Sequence, residues 1–299
     1  MGVGFLKKVI ARVYPLRNFL FYIQRYVSNP RLRRGLADLL AKRLPSLSTG
    51  LCNEYWKEKD QLERDGYIML PNFATKEEVA EVVGWLKDKL VYDRWNKAAG
   101  FFDPDTPPPE CHTAPFRDVD VVNCPHLLRW ANDSKVLNIV GNTLGCKPTL
   151  SNLTVWWSYA GHEKPQEAEN FHRDVDDLHF IKLFFYLTDV DVDCGPHVFV
   201  PGSHRDKRFG KIKRYEDAEV ASAFGEGGIK YFYGECATAF LENTFGLHKG
   251  QLPKGKPRLL FQAQYSLHPI GIYKYSPVWL SEEPSFILDS YINRLYVKQ

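Results

Sequence analysis

The chain has 299 residues, of which 44% are hydrophobic, 25% charged and 14% aromatic, and its formal net charge is +3. This length allows one large domain or two small ones, and the composition excludes the disordered, collagen-like and coiled-coil classes. The longest apolar run near the start, Phe19 to Ile23, is far shorter than the ~20 residues that a membrane-spanning helix needs. The six cysteines include no Cys-x-x-Cys pair, so the sequence suggests neither a zinc ribbon nor a small disulfide framework. We therefore expect a cytoplasmic protein.

The N-terminal segment differs in charge from the rest of the chain. Residues 1–44 carry ten Lys or Arg and one acid, Asp38, a local charge of +9 that leaves −6 for the remainder. Apolar residues recur at helical spacing in three stretches, which predict helices over residues 5–14, 16–27 and 31–43 with a break at Asn29-Pro30. The sequence therefore predicts a basic amphipathic helical arm over residues 1–50, ending in a linker at 45–50.

Residues 51–299 are predicted to form one domain in which helices precede an antiparallel β structure. Thr75-Lys76-Glu77-Glu78 has the form of a capping box and begins a helix that we expect to run to about Trp95. A helix capped by Ser134 should end near Gly145. Runs of period two predict strands at 149–159, 179–187, 198–200, 237–243 and 258–265. Between two of these strands, residues 205–236 form a charged insertion of the kind that often serves as a lid.

Two copies of a His-x-Asp pattern occur in the β-rich part of the chain. In an extended strand, residues two apart point to the same side, so His172 and Asp174 can converge on one cation. The second copy, His204-Arg205-Asp206, follows a turn sequence and is interpreted as a solvated loop. The first copy is therefore the candidate metal motif.

A facial triad also needs a distant second histidine, and His248 is the candidate. Arg258 begins the following predicted strand, where its guanidinium can pair with a carboxylate near the metal. For either residue alone, a loop cap for His248 or a surface ion pair for Arg258 is the simpler interpretation.

Taken together, these segments resemble the phytanoyl-CoA dioxygenase-like iron(II)- and 2-oxoglutarate-dependent oxygenases. The matching pieces run in family order over residues 62–266. They are Asp65-Gly66-Tyr67-Ile68, Pro71-Asn72-Phe73, Phe171-His172-Arg173-Asp174, Leu187-Thr188-Asp189-Val190, Gly195-Pro196 and Pro201-Gly202-Ser203-His204. The arm is not required by the family, and the insertion is too divergent to match it.

The resemblance implies a mainly β fold with flanking helices, a double-stranded β-helix of the jelly-roll or cupin-like type. It implies that His172, Asp174 and His248 bind iron(II), and that Arg258 pairs with the far carboxylate of the cosubstrate 2-oxoglutarate. Reaction with O₂ would then hydroxylate an unactivated C–H bond. Related halogenases replace the metal carboxylate with a small residue, so the presence of Asp174 favours hydroxylation.

Three other groups of residues are weaker candidates. One of Trp156 and Trp157 should face the cavity, and we assign Trp157 and Gln264 to cosubstrate binding, although ordinary strand packing explains both equally well. His179, His197 and His268 are interpreted as structural or surface residues.

The substrate is predicted from the basic arm and from the net negative charge of the rest of the chain, the acidic body. A basic amphipathic arm can lie on an anionic membrane, or it can pack against the barrel with its charges solvated. This combination is most similar to the Kdo hydroxylases, peripheral enzymes that act at the inner face of the cytoplasmic membrane on the Kdo sugar of a lipid A-linked precursor. The alternatives are a hydroxylase of a soluble secondary metabolite and a catalytically silent binding protein. The acidic body disfavours nucleic acid as a partner.

Overall fold

The computed structural model describes residues 18–47 and 55–298. The helix predicted over 5–14 and the second half of the predicted linker, residues 48–50, lie outside these residues. Within them, no helix combines the length and apolarity needed to cross a membrane.

The described part of the arm consists of two helices that pack on the body. Residues 18–25 are helical (α1), and α2 spans Pro30–Ala41. The predicted break lies between them, where the Asn29 side chain accepts hydrogen bonds from the first backbone N–H groups of α2. Ala37 and Ala41 are buried in the main core of the body. The arm boundary near residue 50 stays a prediction.

Helices make up the first half of the body. Their bounds are α3 Trp56–Asp65, α4 Lys76–Leu86, α5 Asp118–Val122, α6 Leu127–Ala131 and α7 Ser134–Leu144. The predicted capping box is present, since the Thr75 hydroxyl accepts from Glu78 N and the Glu78 carboxylate accepts from Thr75 N. Asp133, one residue before the predicted Ser134, caps α7.

The prediction that α4 runs to about Trp95 is wrong, because the helix ends at Leu86. Val91–Tyr92 (β2) pairs instead with Phe101–Phe102 (β3), and Val91 is fully buried. This tertiary pairing overrides the helical spacing of the apolar residues.

Two antiparallel sheets form the double-stranded β-helix. The remaining strands are β1 Tyr67–Met69, β4 Thr113–Pro115, β5 Thr149–Ser158, β6 Phe180–Tyr186, β7 His197–Phe199, β8 Lys230–Phe232, β9 Ala239–Glu242, β10 His248–Gly250 and β11 Arg258–Ser266. The major sheet has the order β1-β9-β6-β11-β5-β4, and the minor sheet has the order β10-β7-β8. The five predicted strands are therefore confirmed.

The predicted insertion, residues 205–236, is partly built into the barrel. One part of it is β8, a strand of the minor sheet paired with β7, and another part is helix α8, Asp217–Phe224. Tyr215 and Val220 pack with Phe171 in a small cluster on the minor sheet. The role of the insertion as a lid stays a prediction.

The major sheet is buried on both faces. One face packs against the helices in a core that includes Leu153, Val155 and Phe261, and the other faces the minor sheet through Phe184 and Phe240. A last short helix, α9, spans Ser290–Asn293. Because the helices cover one face of the major sheet, we expect a ligand-binding site in the space between its other face and the minor sheet.

Two helix-ending glycines provide a matched test of this packing. A Cβ at Gly66 (φ +86°) would lie 2.6 Å from His204 Nδ1 and 2.8 Å from Phe199 Cζ, whereas one at Gly145 (φ +77°) would meet only Ala41 Cβ at 3.7 Å. Gly145→Ala should lower the free energy of unfolding by about 1 kcal/mol, the cost of a left-handed alanine. Gly66→Ala should cost about 2 kcal/mol more, because its neighbours must move. Chemical denaturation measures the difference, and equal losses would contradict the close packing.

Candidate metal centre and cosubstrate pocket

The His-x-Asp segment is held against β10 by its backbone. His172 N donates to His248 O at 2.9 Å, and His248 N donates to His172 O at 3.0 Å. Two residues later, Asp174 N donates to Thr244 O at 2.9 Å. The motif is therefore an extended segment that is hydrogen-bonded to β10 at His172. This pairing brings the side chains of His172 and Asp174 close to that of His248.

The three side chains converge on one point. Their nearest ligand atoms all lie within 4.8 Å of one another. His172 Nε2 is 3.5 Å from Asp174 Oδ1, and His248 Nε2 is 3.3 Å from Asp174 Oδ2. Such a pair of imidazoles with one carboxylate is the ligand set of non-haem iron(II) oxygenases.

Each histidine is held in the tautomer that a metal requires. His172 Nδ1 lies 2.9 Å from Asn170 O, and His248 Nδ1 lies 3.0 Å from Gly246 O. A carbonyl can only accept, so each Nδ1 carries the proton and each Nε2 keeps a free lone pair. Both lone pairs are thereby directed at the position between the histidines and Asp174.

Electrostatics favour the metal-binding protonation states of His172 and Asp174. Burial, then the neighbouring His248, lowers the pKa of His172, which disfavours its protonation. Burial raises the pKa of Asp174, but Lys182 and His248 outweigh it and hold the pKa well below its ordinary value. His172 is therefore favoured as a neutral imidazole and Asp174 as a carboxylate.

Arg258 lies at the start of β11 as an unsatisfied buried cation. It is 3% exposed, and its one hydrogen-bond contact is from Nη2 to Ser158 Oγ at 3.4 Å. Its Nε and Nη1 atoms are buried and have no hydrogen-bond partner within residues 18–47 and 55–298. A buried guanidinium with free donors fits a ligand carboxylate, because two parallel hydrogen bonds would satisfy those donors. The residues present therefore fit both iron(II) and 2-oxoglutarate.

A cavity of about 240 Å³ joins the triad to Arg258, and most of the residues that line it have polar or charged side chains. The lining includes Asn152, Thr154, Gln262 and Gln264 from β5 and β11, with Arg94, Trp95 and Tyr273 from loops. Gln264 thus lies where the sequence predicts it, with its amide nitrogen 3.3 Å from Ser151 Oγ. Its part in cosubstrate binding stays a prediction.

The placement predicted for Trp157 is corrected. Side chains alternate along β5, and Trp156 lines the cavity while Trp157 packs against the core on the helix side. The choice between the two faces depends on how β5 pairs with β11, which opposes Trp157 to Leu259. Trp157 therefore lies on the face of the major sheet opposite to the cavity that contains Arg258.

Sequence reasoning missed Lys182, a buried lysine on β6. Its Nζ lies 2.6 Å from Asp174 Oδ2 and 3.6 Å from Asp176 Oδ2. These two carboxylates raise the pKa of Lys182 despite its burial, so the ammonium stays charged. The available signal was a single charge inside the apolar run 181–187.

Sequence reasoning also missed a buried histidine–glutamate pair behind the second ligand. His197 Nε2 lies 2.9 Å from Glu242 Oε2, and the His197 ring stacks on the His248 ring with centroids 5.6 Å apart. Burial raises the pKa of Glu242 to about 8 and lowers that of His197 well below its usual value. At neutral pH this is a hydrogen bond between two uncharged groups that limits the movement of His248.

The second His-x-Asp copy is not a ligand set, but it is also not fully solvated as predicted. His204 is buried in a short 3₁₀ turn, Ser203–Arg205, and its Nε2 lies 3.0 Å from Glu63 O. Asp206 pairs with Arg208 on the surface. His204 is therefore a packing residue that joins the turn to α3.

Comparison with known proteins agrees with this geometry. The sequence profile of the phytanoyl-CoA dioxygenase (PhyH) family matches residues 62–226, more than half of the chain. The chain belongs to this family. A search of curated proteins found no match.

Several solved structures share the fold of this PhyH-family protein. EctD from S. alaskensis, in its apoform, is 20% identical with a TM-score of 0.52, covering 85% of this chain and 91% of EctD. HygX from Streptomyces hygroscopicus, with nickel, 2-oxoglutarate and hygromycin B bound, is 16% identical with a TM-score of 0.51, covering 75% and 92%. The α-ketoglutarate-dependent carbocyclase SnoK is 15% identical with a TM-score of 0.51, covering 74% and 86%.

Family membership makes the protein an enzyme, a non-haem iron(II)- and 2-oxoglutarate-dependent oxygenase. Its described residues contain one group of three metal-ligating side chains in contact range, namely His172, Asp174 and His248. The assignment of individual residues to iron is tested by substitution.

We expect His172→Ala, Asp174→Ala and His248→Ala each to abolish tight iron(II) binding, because each removes one of three ligands. His204→Ala is the matched control from the second His-x-Asp copy and should keep iron affinity. Anaerobic calorimetric titration with iron(II) measures both. Loss of iron binding in His204→Ala with its retention in His172→Ala would reverse the assignment.

Proposed function

We propose that the protein hydroxylates a hydroxyl-rich small molecule or sugar, with His172, Asp174 and His248 as iron ligands and Arg258 as the cosubstrate anchor. One observation carries the proposal. Arg258 is a buried cation with two unpartnered nitrogens in the same cavity as the triad. A cation left in that state favours a carboxylate ligand such as 2-oxoglutarate, since an uncompensated buried charge is costly.

Each of these side chains has a separate task. When bound, iron(II) supplies activation of O₂, coupled to oxidative decarboxylation of 2-oxoglutarate. The two Nδ1–H hydrogen bonds to carbonyls fix the histidine rings, and Lys182 restrains Asp174 through its Oδ2 atom. Asp174 occupies the position that a halogenase would leave open for chloride, which supports hydroxylation as the outcome.

The wall of the cavity supports a polar substrate. Asn152 and Gln262 bond to each other at 3.0 Å, and Thr154 and Gln264 line the same two strands. Amide and hydroxyl side chains both donate and accept, so they match substrate hydroxyl groups in either role. An acyl chain would displace water from these side chains without offering hydrogen bonds to the donors and acceptors that their mutual bonds leave free.

Within this class, the Kdo sugar of a lipid A-linked precursor is the specific substrate we propose. The second candidate is a soluble secondary metabolite, which is favoured by the likeness to HygX, solved with hygromycin B, and to SnoK from nogalamycin biosynthesis. An intact triad and a free Arg258 count against the third alternative, a silent binding protein. The two enzyme candidates differ in whether the activity is found with the membrane fraction, as a lipid-linked substrate requires, or with the soluble fraction.

Succinate formation from 2-oxoglutarate is the test of function. We expect substrate-dependent succinate, with a product heavier by one oxygen atom, for Kdo-bearing lipid-linked sugars or soluble polyhydroxylated metabolites. An acyl-CoA of matched size is the apolar comparison and should give none. Succinate that depends only on the acyl-CoA would overturn the proposed substrate class.

The same assay tests Arg258. Arg258→Lys should raise the 2-oxoglutarate concentration for half-maximal turnover about tenfold or more while leaving iron affinity nearly unchanged, because an ammonium cannot reproduce the two-pronged contact. Unaltered cosubstrate dependence would show that another cation binds the carboxylate.

The arm supports the membrane part of the proposal. Its outward side exposes eight large apolar side chains, namely Phe19, Leu20, Tyr22, Ile23, Tyr26, Leu32, Leu36 and Leu39. Leu32, Leu36 and Leu39 recur at intervals of four and three, so they form one stripe on α2. An exposed apolar stripe on a basic segment fits an anionic lipid surface, where each Lys or Arg adds roughly 1 kcal/mol.

Replacing two stripe residues tests membrane binding without disturbing the body. The double variant Leu36→Ser, Leu39→Ser should bind anionic vesicles about a hundredfold more weakly, since each buried leucine contributes about 1.5 kcal/mol and every 1.4 kcal/mol is a factor of ten. The control is Ile287→Ser, which changes a side chain that is 93% exposed outside the arm. Co-sedimentation with neutral and anionic vesicles measures both variants. Equal sedimentation of wild type and the double variant would overturn the membrane proposal.

A further inference from the structure

A second cavity, of about 560 Å³, lies between the arm and the barrel. It is bounded by α2, by the C-terminal half of α3, by the segment that enters β6, and by the turn that carries His204. Its lining shares no residue with that of the cavity at the metal centre. The two are therefore separate sites, and the oxygenase activity assigns no role to the second one.

Cationic side chains dominate the polar lining of this arm cavity. Four arginines line it, namely Arg31, Arg33, Arg34 and Arg205, against two carboxylates, Asp38 and Glu63. Arg34 pairs with both carboxylates, at 2.8 and 3.1 Å, which leaves a formal excess of two positive charges. The side chain of Arg31 is exposed at the first turn of α2 and has no partner among the described residues.

Arg33 places one of these positive charges deep in the wall. It is 2% exposed, and its terminal nitrogens donate to Gln24, Val27 and the Asp177 carbonyl, while its buried Nε has no partner. None of these hydrogen-bond partners is a carboxylate, so dipoles solvate the guanidinium directly, and the carboxylates of Asp177 and Asp176 act on it only through their nearby charge. Burial lowers the pKa of Arg33 to about 10, which still leaves it charged at neutral pH.

His179 is the observation that points to a ligand. It is 94% buried and lines the arm cavity, and its buried Nδ1 has no hydrogen-bond partner in the part of the chain that the structure describes. A buried ring nitrogen left without a partner is costly whether it carries the proton or the lone pair. Burial and the neighbouring Arg34, His204 and Arg33 lower the pKa of His179 to about 3, as expected where the potential is positive.

We propose that the arm cavity is a binding site for a phosphate-type oxyanion, held by Arg31 and the positive field of Arg33 and Arg34 with a hydrogen bond from His179. Phe180 and Phe245 form apolar parts of the wall, which strengthens charge-assisted bonds by excluding water. The ligand would satisfy the His179 donor and offset the excess charge. The chemistry fits a phosphate monoester, which is found on soluble phosphate esters and on lipid headgroups alike.

The position of the site gives it a structural consequence. Arg33 on one wall bonds the Asp177 carbonyl, and His179 on the opposite wall lies two residues further along the same segment. An anion between α2 and this segment would join the arm to the part of the chain that leads from Asp174 into β6. Anion binding should therefore stabilise the docked arm.

Inorganic phosphate is the first probe, titrated into the anaerobic iron(II)-loaded enzyme saturated with 2-oxoglutarate so that Arg258 is occupied. We expect saturable binding by calorimetry and a rise in thermal midpoint with phosphate concentration. His179→Phe, which keeps the ring and removes both nitrogens, and Arg31→Ala, an exposed change, should each weaken phosphate binding about tenfold. Arg43→Ala is the matched control, an arm arginine outside the cavity lining, and should bind like wild type.

The outcomes separate this proposal from the proposed function. The anion site would be overturned, whatever substrate is oxidised, if the wild type did not bind phosphate. It would also be overturned if His179→Phe and Arg31→Ala both bound phosphate as tightly as the wild type. If Arg43→Ala weakens binding as much as Arg31→Ala, the ion binds the arm surface at large and the cavity assignment is wrong. Turnover is not needed for any of these readouts, so a failure of the substrate assignment leaves them intact.

Vesicles distinguish the source of the phosphate. For a lipid source, the wild type should prefer vesicles with phosphatidic acid, a monoester, over charge-matched phosphatidylglycerol, a diester, and His179→Phe should lose that preference. For a soluble source, the two vesicles should bind equally while the effect of inorganic phosphate on the thermal midpoint persists.

Discussion

The pair of backbone hydrogen bonds between His172 and His248 is the constraint on which the site depends. These bonds fix the spacing of two residues that lie 76 positions apart in the sequence. Because Asp174 is anchored to Thr244 in the same way, all three candidate ligands are placed by backbone geometry and not by side-chain choice. The backbone thus brings the three side chains together. The histidine tautomers, burial and neighbouring charges then set the orientation and protonation of these side chains.

The space between the sheets holds more ionisable groups than a structural core would tolerate. Three of these groups are buried: Lys182 beside Asp174 and Asp176, Glu242 beside His197, and Arg258, which has no carboxylate partner among the described residues. Replacing such groups by apolar ones is often neutral or stabilising, so they contribute little to folding itself. Under the proposed function, these groups hold the metal ligands and receive a carboxylate, while the large apolar core on the helix side of the major sheet stabilises the fold.

The sequence predicts the strands well because their apolar runs are long and their period is near two. It also brings together His172, Asp174, His248 and Arg258, through the order of motifs shared with a known family. It does not predict which side of β5 faces the cavity, because the pairing of β5 with β11 joins residues about 100 positions apart. Lys182 and Glu242 were missed for a related reason, since a charge inside an apolar run acquires its meaning only from partners that the fold supplies.

Arg33 changes how an arm truncation must be interpreted. Its guanidinium holds the carbonyls of Gln24 and Val27 on one side and that of Asp177 on the other, so α1, α2 and the loop after Asp174 share one buried cation. Deleting residues 1–27 would remove two of these acceptors and leave the cation short of solvation. Lower activity in such a truncated enzyme would then report a loosened ligand loop as much as a lost membrane contact. Point substitutions on the outward leucine stripe separate the two causes, because that side of α2 makes no bond to the loop.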